Sequence, residues 1–293
     1  MGSVALQAVV SGIEAGAVYG LVGVGFSVAY RATGVINLAQ GDLVALGAYL
    51  SYAGWSVGLP LPVAILLAAL GVGVFMGLVE RLAWRPLYRR GGVYPIVSSV
   101  GLSVAIQAAI ALIWGPSPLL LPTMVSNKPL VIWGVHLTIA QLADLGVALL
   151  FCVATIWLLS HTKVGRGMRT LAQDQDVAVL FGISPSRIFF IAFLLAGVLA
   201  AVAGGLIGPA QGLSANMGLT IGIAGFAAAV LGGLGSAEGA LVGGIIIGVI
   251  GNLAVVYLTP AYRDAVLYGV LILVLVIRPR GLFGESIASL RRV

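Results

Sequence analysis

The sequence predicts an all-α fold: a polytopic integral membrane helix bundle of eight to ten transmembrane helices, with the N-terminus outside and the C-terminus cytoplasmic. Three observations carry this. Of 293 residues, 60% are hydrophobic and 8% are charged, against about 25% charged in an ordinary soluble domain. So few charges cannot cover the surface of a soluble fold of this size, which excludes a soluble enzyme, a disordered chain and a secreted disulfide scaffold. The apolar residues gather in runs of roughly 20, the length at which a helix crosses a bilayer. Lys and Arg divide very unevenly between the breaks.

The runs lie at 6–30, 36–56, 61–80, 94–114, 140–160, 188–208, 217–235, 239–258 and 262–278. Those at 94–114 and 188–208 carry no charge; the pair after 217 is Gly-rich and compatible with a broken or re-entrant path. When the breaks alternate sides, one side receives Arg31, Arg81, Arg85, Arg89, Arg90, Lys163, Arg166, Arg169, Arg187, Arg278, Arg280, Arg291 and Arg292. The other receives Lys128 and Arg263. The basic side is expected to be cytoplasmic. The net charge of +6 is therefore an orientation signal and gives no argument for nucleic acid. The first basic residue, Arg31, follows the first apolar run, so no cleavable signal peptide is expected. The whole chain, 1–293, reads as one transmembrane domain.

Two breaks are long enough to hold structure. Residues 115–139, expected on the outer side, contain Pro116, Pro118, Pro122 and Pro129 and a partly alternating stretch, which suggests a small hairpin lying on the membrane. Residues 161–187, expected in the cytoplasm, are polar. Between Arg169 and Gly182, the apolar residues Leu171, Ala172, Val179 and Leu180 follow a helical repeat, Gly182 supplies a C-terminal stop and Pro185 follows it. This predicts one short amphipathic helix against the cytoplasmic face.

Glycine spacing predicts close helix packing. Gly12, Gly16 and Gly20 recur every four residues, as do Gly235, Gly239 and Gly243, then Gly244 and Gly248, with Gly73/Gly77 and Gly204/Gly208 besides. Small residues four apart form a groove for a neighbouring helix.

Chemistry-bearing residues are few. Glu14 and Asp42 lie well inside the runs; Glu80, Asp144 and Asp264 lie near predicted ends, where water reaches them. A proton or sodium carrier threads several carboxylates or histidines through its core, and two separated acids make a thin relay. Glu14 reads as a helix–helix hydrogen bond near the outer surface. Asp42 follows Asn37, Gln40 and Gly41 in a stretch unusually polar for a span, readable either as pathway lining or a hinge, or as interhelical hydrogen bonding. The Gly-rich run 231–236 lacks the Gly-Lys-Ser/Thr ending of a phosphate loop. His136 and His161 fall on opposite sides of the membrane, and Cys152 is alone, so neither a metal site nor a catalytic set is expected. What remains is a pore-forming subunit energised by another chain, or a stand-alone gradient-driven carrier or channel.

Four motifs resemble one family, the branched-chain amino acid ABC transporter permeases, in order and over nearly the whole chain. They are Gly34-Val-Ile-Asn-Leu-Ala-Gln-Gly-Asp42 with Gly47-Ala-Tyr49; Gly165-Arg-Gly-Met-Arg169 through Asp176, Ala178 and Gly182-Ile183; Ala228 to Ser236 with Gly239 to Gly244; and Arg278-Pro-Arg-Gly-Leu-Phe-Gly284. Length and ends look more like the LivH-type subunit than its longer LivM-type partner. The resemblance implies a bacterial inner-membrane importer in which this chain pairs with a second permease subunit, LivM-like or a second copy. Two ATP-binding subunits would supply the energy, so ATP would be bound by the partners and this chain would be neither an enzyme nor a cofactor carrier. A periplasmic substrate-binding protein would deliver branched-chain or related amino acids; relatives carry urea or short amides. It further implies that Arg169, Ala172, Asp176, Ala178 and Gly182 belong to an ATPase-coupling loop, and that Asn37, Gln40 and Asp42 lie near the substrate path. The loop departs from the family's usual Glu-Ala-Ala core, reading Asp176-Val177-Ala178.

Overall fold

A computed structural model describes residues 2–88, 93–125, 127–132, 135–278 and 280–284. Arg89, Arg90, Arg291 and Arg292 lie outside the described residues. Every apolar run of the sequence contains a helix, although 36–39 and 233–235 are non-helical. Among the described residues, seven helical segments are long and apolar enough to cross a membrane: α1 (Gly2–Thr33), α3 (Leu61–Val79) with its continuation, α5 (Val93–Trp114), α6 (Ile139–His161), α9 (Pro185–Gln211), α11 (Ala237–Tyr257) and α12 (Arg263–Ile277) with the 3-10 turn Pro260–Tyr262 before it. The protein is thus a multi-pass membrane bundle. The runs at 36–56 and 217–235 yield shorter helices, α2 (Gln40–Ser56) and α10 (Met217–Gly232).

Helix α3 passes through one π-turn, Glu80–Trp84, into α4 (Arg85–Tyr88). Pro86 supplies the cause: it has no N–H to donate and its ring crowds the carbonyl four residues back, so the turn widens and the Arg85 N–H bonds the Glu80 carbonyl. The turn carries a buried ion pair. Glu80, expected at a water-accessible end, is fully buried and accepts two bonds from Arg85, at 2.8 and 3.3 Å. Arg85 also donates to the Ser186 carbonyl at 2.9 Å, tying this end of α3 to the start of α9.

Helix α9 is the centre of the bundle, with α1, α2 and α3 around it. Its small residues admit them closely: a Cβ on Gly197 would stand 2.7 Å from the Val72 carbonyl of α3, and one on Gly204 would strike the Val44 carbonyl of α2. Helices α5 and α12 sit at the edge and expose most of their apolar side chains.

The hairpin expected in 115–139 is present as two antiparallel strands, β1 (Pro129–Ile132) and β2 (Val135–Thr138). An exposed strand edge invites pairing. Here the Gln7 side chain of α1 takes that place, donating to the His136 carbonyl at 2.7 Å and accepting from the His136 N–H at 2.8 Å. Thr138 then opens α6 with a capping box shared with Gln141.

Candidate functional site

The polar motif at the start of α2 forms a joint inside the bundle. Gly34, at φ +69°, ends α1, and residues 34–39 are non-helical. Helix α2 then begins at Gln40, whose Nε2 donates to the Ala196 carbonyl at 3.0 Å. Ala196 is the twelfth residue of the 27 in α9, counting from Pro185, so α2 starts near the midpoint of the central helix. Non-helical backbone at membrane depth must find its hydrogen bonds within protein or a wet cavity. Here it finds protein. The Asn37 Oδ1 accepts the Ala39 N–H at 3.0 Å, and Ser99 of α5 accepts the Leu38 N–H at 3.1 Å.

Asp42 occupies the first turn of α2, where a carboxylate complements the helix dipole. It accepts from Ser103 and, at 2.9 Å, from Gln107, both on α5. Asn37, Gln40 and Asp42 are thus brought together and are 2%, 0% and 3% exposed. In this conformation they are satisfied by protein groups, which is the interhelical alternative of the two the sequence left open. Ser99 and Ser103 complete the joint and escaped the sequence reading, since single serines in an apolar run give no signal. The start of α10 meets the same place: a Cβ on Gly218 would stand 2.7 Å from the Gly41 carbonyl.

The loop between α6 and α9 is a second constructed site. It holds two helices, α7 (Lys163–Gln173) and α8 (Gln175–Leu180), where one was expected. Asp174 breaks the run: it is extended, and its Oδ1 accepts the N–H groups of Asp176 and Val177 as the N-cap of α8. The break separates the apolar residues that sequence spacing had aligned. Leu171 is buried, while Val179 and Leu180 are exposed.

Helix α7 is a fixed base. A Cβ on Gly165 would collide with the Leu159 carbonyl of α6, and one on Gly167 would come within 2.9 Å of Ile188 of α9. Arg169 folds back to donate to the Ser160 carbonyl at 3.4 Å, near the end of α6. Helix α8 is held by its C-terminus. Gly182 takes φ +76°, its N–H bonds the Val179 carbonyl at 2.9 Å, and the Ile183 N–H bonds Ala178 at 3.0 Å. This is a Schellman ending, which demands a left-handed residue that only glycine adopts cheaply. Of the five residues assigned to the loop, Ala172, Asp176 and Gly182 are exposed, Ala178 is fully buried and Arg169 is half-buried. Sequence reasoning set Leu180 on the packed face of a single helix and passed over Phe181; the two are instead 85% and 78% exposed at the tip, and Val177 on the same helix is exposed too. The available signal was three large apolar residues within a polar break.

The glycines fall on two faces of α11. Gly244 and Gly248 meet Gly16 and Gly20 of α1, while Gly239 and Gly243 meet Gly232 and Ala228 of α10. A Cβ on Gly12 would stand 2.6 Å from Val249, continuing the first seam. Gly235, placed by spacing on a helix face, is instead in the turn before α11 at φ +91°. That turn matters, because the last two sequence motifs converge on it: the Leu282 and Phe283 N–H groups bond the Leu231 and Gly232 carbonyls at 2.7 and 2.9 Å.

This arrangement has relatives. A solved structure described as PsaBC from Streptococcus pneumoniae in complex with Fab shares the fold. Its TM-score is 0.55 at 12% identity, covering 94% of this chain and 92% of that one. The chain is 31% identical, over 96% of both sequences, to the high-affinity branched-chain amino acid transport system permease protein LivH of Escherichia coli K12. It is equally similar, over the same shares, to the corresponding protein BraD of Pseudomonas aeruginosa. Residues 8–275 match the family described as branched-chain amino acid transport system, permease component, and with that match spanning nearly the whole chain, the protein belongs to this permease family.

Proposed function

We propose that this chain is a permease subunit of a bacterial inner-membrane ABC importer for branched-chain or related amino acids. It works with a second permease subunit, two ATP-binding subunits and a periplasmic binding protein, and carries no ATPase site of its own. The single observation that supports this best is the tip of α8. Leu180 and Phe181 project from a short helix whose base is locked by Gly165, Gly167 and Arg169. An apolar tip on a fixed base suits insertion into a partner's groove, and the base passes the partner's movement to α6 and α9. The basic breaks, which include this loop, then face the cytoplasm and the β-hairpin faces the periplasm. The joint of Asn37, Gln40 and Asp42 serves as the hinge beside the path, where α2 and α5 exchange hydrogen bonds as access alternates.

The test is the double variant Leu180→Ser/Phe181→Ser. It should reduce co-purification of the ATPase subunit and uptake by about tenfold or more, as expected for loss of a buried apolar anchor, with the chain still in the membrane. Gly182→Trp is a poorer probe, because at φ +76° any side chain strains the backbone whether or not a partner docks. If the double variant keeps its ATPase, or the chain alone moves leucine in vesicles without ATP, the importer reading fails.

A further inference from the structure

At the end of the bundle opposite α7 and α8, a cavity of about 260 Å3 opens between α1, the C-terminus of α9, α10 and the start of α12. That is slightly below the usual range of about 300–1,000 Å3 for ligand sites, a size suited to one small solute. Two opposite charges line it, Arg263 and Asp264, together with Tyr19, Gln211 and Thr220. Arg263 donates from Nη2 to the Tyr19 hydroxyl at 2.7 Å, and Tyr19 is 4% exposed, so a buried phenol fixes the guanidinium. One bond uses one of five N–H donors. The rest of the wall is apolar, from Ile221, Ala224 and Leu267. Arg263 is also one of only two basic residues that the sequence places on this side of the membrane.

We propose that this cavity is the permease's own entry site for a zwitterionic α-amino acid: Arg263 holds the carboxylate, Asp264 the ammonium, and the apolar wall receives the aliphatic side chain. An interhelical bond alone would explain Arg263, and a helix-dipole partner alone would explain Asp264. Neither explains why both signs share one cavity with an apolar wall. A zwitterion satisfies both charges; a neutral amide or urea leaves them unmatched, and a solute of single charge leaves one. The inference rests on the chain being an amino-acid permease and excludes urea and short amides as its preferred cargo.

The experiment uses the intact transporter with its ATPase and binding subunits. The probes are radiolabelled leucine for uptake and a maleimide on Thr220→Cys for local occupancy; the native Cys152 is buried and stays silent. Leucine should slow labelling of Thr220→Cys, and urea and acetamide should not. Arg263→Gln and, on the exposed surface, Asp264→Asn should each abolish that protection and raise the leucine KM by about tenfold or more. Arg263→Lys should restore part of it, and ATPase co-purification should be unchanged in all three. Normal leucine uptake with no protection, or with unchanged KM in both Arg263→Gln and Asp264→Asn, overturns the site alone. Absence of leucine uptake by the unmodified transporter overturns the site and the amino-acid reading together.

Discussion

The contact of α1 with α11 and the contact of α2 with α5 solve the same problem by opposite means. Lipid is as apolar as leucine, so helices in a membrane gain little from hiding apolar side chains from each other. Between α1 and α11 the answer is absence: Gly12, Gly16 and Gly20 face Gly244 and Gly248, and backbone meets backbone without side chains between. Between α5 and the start of α2 the answer is directional: Asp42 accepts from Ser103 and Gln107, and Ser99 accepts the N–H of Leu38 in the segment leading into α2. The first contact has one arrangement and tolerates no added atom. The second is made of bonds that can be exchanged one at a time. A glycine seam therefore suits the part of the bundle that stays fixed, and a polar joint the part that moves.

The largest expected effect lies on the seam. A Cβ at Gly16 would stand 2.7 Å from the Gly244 carbonyl, and Gly16→Leu adds three more carbons. The helices must part, at a cost of about 3 kcal/mol or more. The variant should be lost from the membrane or melt far below the parent in detergent. A near-parental melting temperature would show that the seam is not rigid.

The joint should break more gently. Asp42→Leu leaves the Ser103 hydroxyl and the Gln107 amide without their acceptor and should cost about 1–3 kcal/mol, while uptake falls further than stability does. A double-mutant cycle between Asp42 and Gln107 should return a coupling of about 0.6 kcal/mol and no more than about 1.7 kcal/mol, the average and the maximum for hydrogen bonds between membrane helices. Uptake that merely tracks stability across these variants would make the joint structural and remove its hinge role.

The smallest effect sharpens the comparison by its sign. Gly71 of α3 has no atom within 4 Å of the place a Cβ would take. Gly71→Ala should be neutral or stabilise by up to about 1 kcal/mol, since alanine is the better helix former. Destabilisation as large as that of Gly16→Leu would mean that glycine serves backbone flexibility here and not close approach.

Much of this architecture was legible in the residues. Every apolar run holds a helix, because transfer from water to lipid is a property of each segment alone. The Pro-punctuated hairpin and the Gly182 stop were legible for the same local reason. The polar joint was half legible: Asn37, Gln40 and Asp42 stand out in a span, but their partners Ser99 and Ser103 are ordinary residues about 60 positions away. The break at Asp174 was missed because spacing alone aligned Leu171 with Val179, whereas the Asp174 side chain competes with the helix for backbone N–H groups.

The sequence by itself determined the solvent of this protein, the places where the chain crosses it and the glycines that allow close approach. Only the tertiary structure decided which helices meet. It set Gly16 against Gly244 and not a neighbour in sequence, started α2 at the middle of α9, buried Glu80 beside Arg85, and gathered Tyr19, Arg263 and Asp264 around one cavity. The physical reason is range. Hydrophobicity, caps and turns act within a few residues, whereas pairing between helices depends on shape and hydrogen-bond geometry across the bundle, between residues as far apart as Tyr19 and Arg263.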